Sequence, residues 1–161
     1  MAQVAQVLAA ISVKSTLRSD SLQDACENLH SVRALALAAN QTDTPWCAAF
    51  FFGIDPALDA DPGRIHTLLQ RSVASLPALS APIPPHHPYS RGIDMICTAE
   101  RFAALMDYST TPFTSRIHDC GSAATSAFLG NLLSYIAATR GAPSTSFSDL
   151  VASAPVVLPP V

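Results

Sequence analysis

Charge is what this sequence has least of. Charged residues make up 13% of it, about half the share usual in globular domains. Lysine is almost absent, Lys14 being the only one, and from Gly121 onward only Arg140 and Asp149 carry a charge. A monomer so poor in charge has difficulty covering its surface, so much of that surface is expected to be buried against other chains. The plainer alternative is a small alanine-rich domain with a mild surface. The net charge of −3 argues against broad nucleic-acid binding through overall charge.

Paired cysteines are missing too. Cys26, Cys47, Cys97 and Cys120 lie far apart with no CxxC spacing, which excludes a zinc ribbon and a dense disulfide framework. Buried thiols in a reducing compartment are expected. The lead-in MAQVAQVLAAISVKS has no basic residues before its apolar run, so it does not read as a signal peptide. No apolar run is long enough to span a membrane.

What the chain does have is helical punctuation. At 161 residues one domain with a real core is expected. Residues 1–18 suit a short helix or strand. A helix over 20–39 is expected from the stripe Leu22, Cys26, Leu29, Val32, Ala36 and Ala39. Thr44-Pro45 opens the apolar run WCAAFFF at 44–52, read as a short helix with strand left open. Asp61-Pro62 opens a helix over 62–76, with Ile65, Leu68, Leu69, Val73 and Leu76 on one face. Another short helix is expected around Thr98–Asp107. The last helix, 115–140, carries Ile117, Ala124, Phe128, Leu132, Tyr135 and Ile136 at spacings of three and four and stops at Gly141 and Pro143.

The expectation is therefore an all-α fold, a four-helix bundle with a long loop (about 77–114) between helices three and four and room for a small β element at one end. The proline-rich stretch from Pro77 to Pro88 cannot be regular helix, and the tail of about 148–161 is expected to lie extended on a surface, its own or a neighbour's. Arg64, Arg71, Arg91, Arg101 and Arg116 fall between residues 64 and 118, as do His66, His86, His87 and His118.

The order of these parts resembles the coat protein of rod-shaped plant RNA viruses of the tobamovirus type. The matching residues are Asp20-Ser21-Leu22 with Cys26-Glu27-Asn28, Thr44 through Phe50, Ser90-Arg91-Gly92-Ile93 and Arg116-Ile117-His118-Asp119. Ser126-Ala127, Asn131-Leu132, Arg140-Gly141 and Ser146-Phe147 follow in the family's order. The chain departs from the family at Ile93, which stands where a second arginine is usual, and at His118, which replaces an aspartate. It has no arginine in the 44–52 segment and carries an added proline-rich stretch.

The resemblance implies a capsid subunit of the virion and host cytoplasm, assembling with itself into a helical rod around single-stranded RNA. It implies no membrane, cofactor, metal or catalysis. Arg91 and Arg116 would neutralise phosphates, Asp119 would accept from a 2′-hydroxyl, and Arg101 would add a phosphate contact. Glu100, Asp107 and Asp94 would be the candidates for carboxylates that repel one another between subunits. Arg64 and Arg71 read better as solvated surface charges.

Two other classes compete. Thr44 through Phe50 resembles the nucleophile segment of NlpC/P60-like and CHAP-like cysteine amidases, with Cys47 as nucleophile. Those folds follow that helix with strands carrying a Gly-His pair, whereas this chain runs on into helix and proline-rich loop. A non-viral helical scaffold subunit is the third class. His86-His87, between prolines with no third ligand nearby, read as exposed rather than as a metal or pH element.

Overall fold

The computed structural model describes residues 7–39, 45–77, 93–107 and 114–140. It corrects the expected architecture, because the core is a five-stranded sheet and not a helical bundle. The elements are β1 (Ala9–Leu17), α1 (Ser19–Ala38), β2 (Trp46–Ile54), α2 (Pro56–Asp59), α3 (Pro62–Ala74), β3 (Met95–Thr98), β4 (Phe102–Asp107), β5 (Thr114–Asp119) and α4 (Ala124–Thr139). The strands lie in chain order. β1, β2 and β3 are parallel, while β4 and β5 return antiparallel.

This order explains the layers. Two parallel crossovers of one hand, made in the same direction across a sheet, put both connecting helices on one face. On that face α1 and α3 bury Leu22, Cys26, Leu29, Ile65, Leu69 and Val73 against Cys47, Ala49, Phe51, Ile96, Ala104 and Ile117. The opposite face holds Trp46, Ala48, Met95, Cys97 and Ala103 under Ala124 and Phe128 of α4. The Phe128 ring meets Trp46 and Phe50 edge-on, with centroids 5.5 and 5.2 Å apart.

The corrections share one physical cause. A central parallel strand is covered on both faces and so reads as an unbroken apolar run. WCAAFFF is such a strand, and its β1 and β3 neighbours register Ala48 between Ile11 and Met95. The short helix expected at Thr98–Asp107 is instead the β3–β4 turn and β4, where Phe102 and Ala104 face α1 and α3 while Ala103 faces α4. The segment expected as a loop thus contains two strands. The first turns of the expected fourth helix are β5; a short 3-10 turn (Gly121–Ala123) separates that strand from α4. Ile117 therefore belongs to the face opposite Ala124 and Phe128, and its helical spacing to them was coincidental.

The helices expected at 20–39 and 62–76 are present as α1 and α3. Asp55 and Asp61 cap α2 and α3, their carboxylates accepting from the Ala57 and Gly63 amides, and each is followed by proline at the first helical position. The 78–92 stretch and the tail of about 148–161 lie outside the described residues.

Candidate functional site

Of the RNA-site residues singled out by the viral resemblance, the described residues bring together Arg101 and Asp119 but not Arg116. Arg91 lies outside the described residues, as do His86 and His87. Arg116 and Asp119 sit three apart on β5, so they face opposite sides of the sheet. Asp119 does meet Arg101, which reaches it at 3.1 Å from Nη1 while its Nε holds Asp59 at 2.9 Å. That cation is already shared between two carboxylates.

The three loop acids separate as well. Glu100 is exposed at the tip of the β3–β4 turn. Asp94 and Asp107 lie at the other end of the same two strands, where the Met106 amide donates to the Asp94 carbonyl. The Asp94 carboxylate is buried against Arg33. With the bundle gone, the framework that related these positions to the coat-protein family no longer supports their roles. Among the described residues no three His, Cys, Asp or Glu side chains gather as metal ligands, and no helix is long and apolar enough to cross a membrane.

Cys47 is placed poorly for nucleophilic attack. It lies on β2, fully buried, with its thiol directed at the Leu29 carbonyl at 3.9 Å. Burial pushes the thiol up to about 11 despite the nearby Arg33 guanidinium. A nucleophilic cysteine needs the opposite shift and an accessible sulfur.

The cleft that the fold does build lies elsewhere, at the carboxyl ends of β1 and β2. Open α/β sheets characteristically take ligands there, because the strand-to-helix connections and helix starts leave a concave rim. Arg18 follows β1 directly. Its amide is accepted by Ser21 Oγ, and that hydroxyl donates to the Thr16 carbonyl at 2.7 Å, which closes the turn into α1. Asp55 follows β2, and Asp61 begins α3.

Arg64 and Arg71 are seven residues apart on α3, two turns along one stripe, with Thr67 between them. Together with Arg18 these side chains border a crevice of about 650 Å³. None of the three guanidiniums has an ion-pair partner among the described residues, whereas Arg33 and Arg101 are both paired. Asp55 and Asp61 are occupied as helix caps, so they offset the charge without closing on the arginines.

Sequence reasoning set Arg64 and Arg71 aside as surface charges and passed over Arg18. The available signal was the pairing of Arg64 and Arg71 at i and i+7 just inside an Asp-Pro helix start. It gains meaning only once α3 is known to border strand ends. Comparison of the chain with protein-family models, curated proteins and solved structures finds no match, so function is argued from this geometry.

Proposed function

We propose that this chain is an α/β ligand-binding domain that holds a small anionic molecule in the crevice at the carboxyl ends of β1 and β2. The observation that carries the reading is three arginines without acidic partners around one concave space of about 650 Å³, within the range of small-molecule sites. Guanidinium groups suit phosphate and carboxylate because their planar donors engage two oxygens at once.

Thermal unfolding in inorganic phosphate tests the reading. Millimolar phosphate is expected to raise the melting temperature of the native protein by linkage, and the Arg64→Ala/Arg71→Ala variant is expected to lose that rise. A rise of equal size in both proteins at matched ionic strength sinks the proposal.

Self-association is a second reading, favoured by one observation. The sheet face beside α4 leaves Ile11, Val13 and Phe52 at 41, 56 and 68% exposure, and β1 is a nine-residue edge strand. Long apolar edges of this kind pair readily with a second chain. Val13→Lys/Phe52→Lys is then expected to reduce the sedimentation mass toward that of one chain. A native protein already monomeric at high micromolar concentration removes this reading.

A further inference from the structure

The anion crevice does not end at Arg71. A second groove of about 580 Å³ runs from it between the first half of α1 and the last turns of α3, and Ser19, Leu68 and Arg71 border both spaces. The two halves differ in chemistry. The first is bordered by the three arginines together with the capping residues Asp55 and Asp61, while the second presents Asp20, Gln23, Ser72 and Ser75.

Those four side chains form a mixed set of donors and acceptors. Gln23 Nε2 donates to Ser75 Oγ at 3.0 Å across the two helices, and Ser75 Oγ donates to the Ser72 carbonyl at 2.8 Å. Asp20 Oδ1 accepts the Ser21 amide, which leaves its second oxygen available as an acceptor. Ser72 is the telling residue. It is 3% exposed and borders the groove, yet its hydroxyl has no hydrogen-bond partner among the described residues. Its oxygen is not sealed in the interior and keeps surface open to the groove, where water or a ligand hydroxyl can meet it. Among the described residues no aromatic side chain borders either space, so these offer no surface on which a nucleobase could stack.

Resting on the anion-binding reading above, we propose that the ligand is a phosphorylated sugar. Its phosphate lies among Arg18, Arg64 and Arg71, and its hydroxyls meet Ser72, Ser75, Gln23 and Asp20. A phosphate monoester needs the cationic end. A polyol body needs closely spaced neutral donors and acceptors beside it, and this groove places the two in line.

Titration calorimetry with four probes tests this: inorganic phosphate, glucose, glucose 6-phosphate and adenosine monophosphate. Glucose 6-phosphate is expected to bind at least tenfold more tightly than inorganic phosphate, and adenosine monophosphate no better than inorganic phosphate. Ser72→Ala and Gln23→Ala are expected to abolish the tenfold gain while leaving phosphate affinity unchanged. If inorganic phosphate and the sugar phosphate bind equally, the sugar assignment fails and the anion site stands. Tighter binding of the adenosine nucleotide also overturns the sugar assignment. If no phosphate compound binds, both readings fall.

Discussion

Arg33 Nη2 lies 2.8 Å from Asp94 Oδ2, and the two side chains are only 1 and 4% exposed. The same guanidinium nitrogen donates to the Pro45 carbonyl at 2.9 Å, and the same carboxylate oxygen accepts the Cys47 amide at 2.7 Å. One ion pair thus ties α1 to the beginnings of β2 and β3. Removing one member leaves the other buried with its charge uncompensated, so Arg33→Met or Asp94→Ala is expected to cost about 3 to 5 kcal/mol. Urea unfolding measures it. The Arg33→Met/Asp94→Ala double variant is expected to lose much less than the sum of the two singles, and additive losses would mean the pair does not act as a unit.

Arg101 provides the contrast. It bridges Asp59 and Asp119, but all three side chains are more than a third exposed or close to it. Water and salt screen such a bridge, so Arg101→Ala is expected to lower stability by less than about 1 kcal/mol. A loss several times larger in the same urea measurement would show that the bridge is coupled to more of the fold. Its backbone matters more than its charge, since the Arg101 carbonyl accepts both the Cys120 and Gly121 amides at 2.9 Å where the chain leaves β5.

Among the described residues, two positions hold left-handed backbone. Glu100 turns the β3–β4 hairpin at φ 69, and Gly121 starts the approach to α4 at φ 48. An L-residue at such a φ carries a penalty of about 1 kcal/mol that glycine avoids. Glu100→Gly is therefore expected to be stabilising or neutral. Gly121→Ala is expected to destabilise by about 1 kcal/mol although a Cβ there meets no atom within 4 Å. Midpoints from chemical denaturation compare the two directly, and a stabilising Gly121→Ala would contradict the assignment.

The thiols set an alkaline limit. Burial pushes Cys26 and Cys97 up to about 12 and Cys47 to about 11, from an ordinary value of 9.0. Above pH 9 the unfolded chain releases thiol protons that the folded chain still holds, so it binds fewer protons and stability falls as pH rises. The contribution is complete below about pH 9 and is lost progressively toward pH 11 to 12. Melting temperature followed from pH 7 to 11 should decline above 9, and Cys26→Ser should flatten part of the decline. At pH 7.5 a thiol reagent should reach the half-buried Cys120 first and the other three only on unfolding.

Legibility in the sequence followed the number of faces each segment buries. α1 and α3 bury one stripe each and kept their 3.6-residue period, with Asp61-Pro62 marking where α3 begins. β2 buries both faces, which erased its alternation and left WCAAFFF open between helix and strand. In β5, Ser115, Ile117 and His118 are all buried, so no clean period of two survived. Arg33 was hidden for a related reason: a charged residue within an apolar stripe is expected to be exposed unless a distant partner is known.

Sequence alone established an apolar core, thiols with no local pairing pattern, two amphipathic helices and the Asp61-Pro62 start of the second. These properties are local, written in spacings of a few residues. It took the fold to join the apolar runs as a sheet, to bring Arg33 to Asp94 sixty-one residues away, and to set Arg18, Arg64 and Arg71 around one crevice. Strand partners and convergent side chains come from remote parts of the chain. Their meeting depends on which faces are buried together, and local spacing carries no record of that.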